Sequence, residues 1–176
     1  MSQGSHGDGD RRPYDGSMIS PVLLALLRRE FALDWTGVHG APHWARVRVN
    51  GLLLAKATGA RPDVVELFSV LHDARRLNDH RDPHHGKRAA ELARSLRGTL
   101  IQLDDRAFEL LAIACIGHSD GMVDADVTVQ TCWDADRLDL GRVGIRPDPE
   151  QLCTAAAKDP DVIAQAWSRS LRVRGR

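Results

Sequence analysis

From Ser20 to Leu140 the chain repeats one local pattern: a residue that starts a helix, apolar side chains at three- and four-residue spacing, then a glycine or polar break. Ser20-Pro21 supplies an N-cap and a first-turn proline, and Val22, Leu23, Leu26, Leu27 and Phe31 follow at helical spacing. After the loop Gly37 to Pro42, a second helix is expected from about His43 to Thr58, closed by Gly59. Arg61-Pro62-Asp63 opens a third, which carries Val64, Leu67, Phe68 and Leu71 and ends near His72 to Arg76. A fourth runs from His85 to Leu96 and stops at Gly98; Asp104 caps a fifth, with Phe108, Leu111, Ala112 and Cys115 on one face. Asp126 caps a sixth, Val127 to Leu140, although Val127-Thr128-Val129 alone reads as a strand. Pro147 and Pro149 break the chain, and one or two short helices finish it. The pattern predicts an all-α fold, a single helical bundle.

The 176 residues suffice for one domain with a real core. Residues 1–17, rich in Gly, Asp, Ser and Arg and without an apolar stretch, are expected to be a mobile tail and not a secretory signal; 18–176 form the domain. With 24 basic and 24 acidic residues there is no basic excess of the kind a nucleic-acid binder shows. No run of apolar residues is long enough for a membrane span. Cys115, Cys132 and Cys153 are odd in number, widely spaced and set among apolar residues, so buried free thiols in a reducing, cytoplasmic setting are expected.

Across this helical frame runs an ordered set of side chains that hold divalent cations: His43, His72-Asp73, His85, His118 and Asp136. A single helical histidine is more often surface or core than a ligand. His72 and Asp73, however, close an apolar helix, and burying an imidazole and a carboxylate together without a partner costs several kcal/mol, roughly. Asp136 lies among Trp133, Ala135 and Leu138, an apolar setting for an acid; a solvated helix face accounts better for Asp134 and Asp139.

This order resembles the HD-domain superfamily, over about residues 35 to 145. The opening Gly37-Val38-His39-Gly40-Ala41-Pro42-His43-Trp44-Ala45-Arg46-Val47 is similar to that of small stand-alone members. The resemblance implies a metal site between helices, held by His43, His72, Asp73 and Asp136. In some subgroups two further histidines bind a second metal; His85-Gly86 and Gly117-His118-Ser119 resemble these positions. Ser119 stands where other subgroups carry a second histidine of a pair, and His84 is an alternative to His85. His39 is a candidate lining residue of the cleft, whereas His80 and His84 lie in a polar loop and are expected to be solvated.

The implied cofactor is one or two divalent transition-metal ions, among Mn, Fe, Co, Ni and Zn. Such an ion lowers the pKa of bound water from about 15.7 toward roughly 7, which supplies a nucleophile at neutral pH. Asp73, with two carboxylate oxygens, is the expected bridging ligand and catalytic centre. Arg46, Arg75, Arg76 and Arg137 are candidate phosphate cations, Arg76 and Arg137 foremost, although each also reads as a solvated surface arginine. The acid that several HD phosphohydrolases carry shortly after the dipeptide is not secured here: Ala74 to Asn78 is followed by Asp79 and then Asp82, and the general acid stays unassigned. Three readings remain open. The leading one is a metal-dependent phosphohydrolase acting on a small phosphorylated compound, such as a nucleotide; the others are a di-iron oxygenase and a non-catalytic metal- or nucleotide-binding regulatory domain. No phosphate-binding glycine loop, nucleophile elbow or paired Cys-x-x-Cys motif points elsewhere.

Overall fold

The computed structural model describes residues 16–171 and is an all-α bundle. Its helices are α1 (Pro21–Glu30), α2 (Ala41–Thr58), α3 (Pro62–Leu71), α4 (His85–Leu96), α5 (Asp105–Gly117), α6 (Val127–Arg137), α7 (Ala155–Lys158) and α8 (Pro160–Leu171). Two short 3-10 turns, Leu140–Val143 and Pro149–Gln151, link α6 to α7. Among the described residues the sole β feature is an isolated bridge between Arg97 and Ile101. No helix among them is long and apolar enough to cross a membrane.

Local chemistry sets the helix ends. Ser20 Oγ accepts from Leu23 N–H, Asp104 from Ala107 N–H and Asp126 from Thr128 N–H, so the expected caps satisfy otherwise free first-turn amides. Gly59, at φ 74°, closes α2 in the left-handed region. The β-branched start of α6 is helical because Asp126 caps it and Val129 is buried in the core. Contrary to expectation, α6 stops at Arg137 and the chain tightens into the 3-10 turn at Leu140; the last helix, α8, is a full 12 residues.

The core is built around α2, which packs on both α3 and α6, with α5 against α3 and α4. Val47, Leu67, Phe68, Leu71, Leu111, Cys115, Cys132 and Trp133 are fully or almost fully buried in it. Glycine sets how closely the helices approach. A Cβ on Gly51 would lie 2.5 Å from Val65 Cγ1 and 3.3 Å from Ala135 Cβ, so α2 reaches α3 and α6 only without a side chain there. At Gly86 it would lie 2.2 Å from the Cys115 carbonyl oxygen, so the first turn of α4 touches the last turn of α5 backbone to backbone. An edge-to-face cluster of Phe31, Trp35 and Trp44, with centroids 5.1 to 6.0 Å apart, pins the start of α2.

Three expectations need correction. Ser17, assigned to the tail, is tied down: its hydroxyl donates to Glu66 Oε1 at 2.8 Å, and Met18 N–H donates to Oε2 at 2.8 Å. The rest of the tail, 1–15, and the basic end 172–176 lie outside the described residues. Cys115 and Cys132 are buried free thiols, but Cys153 is only half-buried and sits in the loop before α7. Asp134 and Asp139, expected on a solvated face, are both completely buried. Asp134 ties α6 to α7 by accepting from Cys153 N–H (2.7 Å), Thr154 N–H (2.9 Å) and Thr154 Oγ1–H (2.7 Å).

Gly86→Ala should destabilise the protein by about 1–3 kcal/mol, as overpacking does, because the carbonyl it meets belongs to a helix backbone that cannot rotate away. Chemical denaturation checks this; a variant as stable as the wild type would mean that the α4–α5 contact is looser than described.

Candidate metal centre

The residues that the sequence scatters over 94 positions, from His43 to Asp136, meet at one end of the bundle. They come from the first turns of α2 (His43) and α4 (His85), the ends of α3 (His72, Asp73) and α5 (His118), and the last turn of α6 (Asp136). His43, His72 and Asp73 present ligand atoms within 4.8 Å of one another, as do Asp73, His85 and His118, and His72, His118 and Asp136. His43 Nε2 lies 3.1 Å from His72 Nε2 and 3.3 Å from Asp136 Oδ1. His85 Nε2 lies 2.8 Å from His118 Nε2. Asp73 stands between the two groups. Its Oδ2 is 3.8 Å from both His43 Nε2 and His72 Nε2, and its Oδ1 is 3.2 Å from His85 Nε2 and 3.5 Å from His118 Nε2.

Helix ends impose the ring orientations. His72 and His118 follow the last residues of α3 and α5, and each folds its Nδ1–H onto a last-turn carbonyl, Phe68 O at 3.1 Å and Cys115 O at 2.8 Å. His72 also stacks on the Phe68 ring, centroids 4.9 Å apart. His85 donates Nδ1–H to the Asp82 carbonyl. A carbonyl oxygen can only accept, so Nδ1 carries the proton in all three rings. His43 Nδ1 lies 2.7 Å from Asp139 Oδ2, which fixes the same tautomer. Four Nε2 lone pairs therefore converge on two carboxylates, an assembly of acceptors that repel one another unless a cation or a proton stands among them.

The electrostatics agree. Burial pushes His72 down to about 3, although Asp73 and Asp136 oppose it, so this ring stays neutral and able to coordinate. Burial would raise Asp73 and Asp136, but the charges and hydrogen bonds around them prevail and hold both below the usual carboxylate range. For Asp73 these come from the surrounding imidazoles, His72 first and then His118, His39 and His85; for Asp136, from His43 and then the Arg142 guanidinium. His118 moves the other way: burial lowers it, yet the hydrogen bond and charge of Asp73 raise it above its ordinary value. Asp136 Oδ1 is buried without a hydrogen-bond partner among the described residues, the place where a coordinated ion would complete the arrangement. The donor set, imidazole nitrogen with carboxylate oxygen, fits a divalent transition metal.

Of the remaining candidates, His39 joins the site: its Nδ1–H donates to Asp73 Oδ2 at 2.8 Å. His80 and His84 are exposed, so His85 and not His84 is the inward residue. Arg76 reaches the cluster, with NH1 3.3 Å from His85 Nε2 and 3.5 Å from Asp73 Oδ1, while Nε and NH2 donate to the Asn78 and His80 carbonyls. Arg137, expected beside the phosphate, points away. It donates to Met122 O, Gln151 O and Cys153 Sγ and braces the loops flanking α6. The reason is helical geometry: adjacent residues diverge by about 100°, so Arg137 cannot share the face of Asp136. Arg75 is turned to Glu30 at 3.0 Å. Asp79 is exposed, and the Asp82 carboxylate is engaged by Leu77 N–H and Arg88, so neither acid faces the cluster.

Sequence reasoning missed two residues. Asp139 supports His43 and is itself gripped by Arg46, whose Nε donates to Oδ1 at 2.6 Å and NH2 to Oδ2 at 3.0 Å. Arg142 places NH2 3.7 Å from Asp136 Oδ1. The spacing of three from Asp136 to Asp139 and again to Arg142 was the available signal, because such residues share one side of a helix or 3-10 turn. No family model, curated protein or solved structure matches this chain.

Two outcomes are expected. Asp139→Asn should weaken metal affinity about 10–100-fold, as loss of an outer-shell carboxylate does, in a competition titration against a chelator. Metal and proton compete for Nε2 of His118, whose proton affinity is raised, so affinity should fall as pH drops from about 8 to about 6 and uptake should release protons. A metal affinity flat across that range would remove His118 from the ligand set.

Proposed function

We propose that the protein is a small HD-type, metal-dependent phosphohydrolase that acts on a small phosphorylated compound such as a nucleotide. One observation carries the reading: Asp73 turns one carboxylate oxygen toward His43 and His72 and the other toward His85 and His118. A carboxylate so placed is suited to bridge two ions, and the resemblance of the His, His-Asp, His, His, Asp order to the HD superfamily supplies the reaction class. A bound divalent cation would supply Lewis-acid activation of water and neutralise charge developing at phosphorus.

The chain's own residues have definable parts in this reading. His43, His72, Asp73 and Asp136 would hold one ion, and Asp73, His85 and His118 a second. Asp139, Arg46 and the carbonyls of Phe68, Asp82 and Cys115 keep the imidazoles in one tautomer, so no reorganisation is needed on binding. Burial of the cluster excludes bulk water and strengthens its interactions with charge. Arg76 adds positive charge beside Asp73. His39 donates to Asp73 Oδ2 at 2.8 Å and would orient that carboxylate.

A second reading, a di-iron oxygenase, draws on the same bridging placement of Asp73, because imidazole and carboxylate suit iron as well as manganese. The two separate under nitrogen. Manganese-loaded protein is expected to release phosphate from a panel of phosphomonoesters and nucleotides without oxygen, and Asp73→Ala to lower the rate by orders of magnitude while emptying the site by mass spectrometry. Turnover that requires iron and consumes oxygen would replace the hydrolase reading with the oxygenase one. Absence of both activities would favour a regulatory metal-binding domain.

A further inference from the structure

Asp136, Asp139 and Arg142 succeed one another at three-residue intervals through the end of α6 and the 3-10 turn behind it. Backbone bonds from Asp139 N–H to Asp136 O (2.9 Å) and from Arg142 N–H to Asp139 O (3.0 Å) keep that spacing in register, so the three side chains leave one side of the chain. Asp136 belongs to the metal cluster and Asp139 supports His43. Arg142 makes no hydrogen bond to either carboxylate, although its charge lies beside Asp136.

Its guanidinium is nevertheless held at the cluster. Nε donates to the Val38 carbonyl at 3.0 Å, which anchors the head group against the loop before α2. NH2 stands 3.7 Å from Asp136 Oδ1, too long for a hydrogen bond. NH1 is buried and has no hydrogen-bond partner among the described residues, and the side chain is only 9% exposed. A buried charged N–H without an acceptor is unfavourable, so an acceptor from outside the chain is expected. Arg46 repeats the situation one step away: Asp139 takes its Nε and NH2, and NH1 is left buried and unpartnered.

The position of these atoms points to what fills them. Among the proposed ligands Asp136 is the most open, with a side chain 15% exposed against 3% or less for His43, His72, Asp73, His85 and His118. A ligand that approaches from solvent therefore meets the cluster on the Asp136 side, where Arg142 lies. The other nearby cations are more committed: Arg46 spends Nε and NH2 on Asp139, and Arg76 spends Nε and NH2 on backbone carbonyls and faces Asp73 and His85 with NH1. A negative orphan, Asp136 Oδ1, and a positive one on the neighbouring Arg142 guanidinium, NH1, suit a cation and an oxyanion bound together.

We propose that Arg142 is the phosphoryl-binding residue of this site, its free NH1 donating to a non-bridging oxygen of the substrate phosphate while Val38 holds the guanidinium in place. The assignment rests on the hydrolase reading for the identity of the oxyanion and on the geometry for the residue. A planar guanidinium already anchored through one nitrogen meets phosphate oxygens without further ordering.

The test is calorimetric titration of inorganic phosphate into manganese-loaded full-length protein, for wild type, Arg142→Gln and Arg142→Lys, with metal content and unfolding temperature measured on each. Arg142→Gln should weaken phosphate binding about 10–100-fold, the loss of one charged hydrogen bond, at unchanged manganese content and unfolding temperature. Arg142→Lys should recover part of the affinity, because it keeps the charge and loses the planar fork. If the Gln variant does not fold, the Lys variant carries the test, with several-fold weaker phosphate binding expected. Wild-type phosphate affinity in a folded variant overturns the proposal and leaves the hydrolase reading standing. Loss of manganese in a folded variant also overturns it, because Arg142 would then be a support for Asp136. A wild-type protein that binds no phosphate overturns it as well, whereas one that hydrolyses no phosphoester yet binds phosphate through Arg142 keeps the subsite and removes the hydrolase reading.

Discussion

A carboxylate at the end of an apolar helix, surrounded by imidazoles, is unfavourable to bury unless something compensates its charge, and Asp73 is in this position. It is almost inaccessible, yet it faces His39, His43 and His72 with one oxygen and His85 and His118 with the other. The imidazoles around it hold its carboxyl well below the usual carboxylate range, which favours the ionised form. Every other feature of the centre can be understood as a response to that charge. Four helix ends bring nitrogen donors to it, Arg76 approaches from the side, and Asp136 closes the far edge.

The second level of organisation lies behind the ligands. Three imidazoles are fixed by backbone carbonyls and the fourth by Asp139, so the lone pairs that face Asp73 are set by secondary structure and one buried ion pair. His118 uses a carbonyl in the last turn of α5, and His72 shares the Phe68 carbonyl with its own backbone N–H, so each ring is oriented by the last turn of its helix. His85 depends on the absence of a side chain at Gly86, which lets α4 abut α5. Packing, capping and ligand geometry are thus the same contacts viewed for different purposes. They explain why the cluster sits where it does and not in the middle of a helix face.

Much of this was legible along the chain. Ser20, Asp104 and Asp126 cap helices because their side-chain oxygens satisfy amides within three residues, an interaction that needs no tertiary partner. The six expected ligands all belong to the clusters that the fold assembles. Arginine was where the reading failed. Arg137, expected at the site as the neighbour of Asp136, points to Met122 and Gln151, while Arg142, beyond the end of the helix, reaches Asp136. Asp134 and Asp139 failed for a related reason. Each is satisfied by residues distant along the chain, Thr154 for the first and His43 with Arg46 for the second, and no local pattern announces such partners.

The sequence by itself determined the all-α character, most helix limits and the identity of the imidazoles and carboxylates that converge, because capping, periodicity and donor chemistry are properties of short stretches of chain. Only the tertiary structure decided which oxygen of Asp73 faces which histidine, which acids are buried supports, and which arginines reach the mouth of the site. Long side chains take their direction from whatever packs over them. For Arg46, Arg137 and Arg142 the deciding atoms are those of Asp139, Met122 and Val38, and for Arg46 and Arg142 these lie about a hundred residues away in sequence and within hydrogen-bond distance in space.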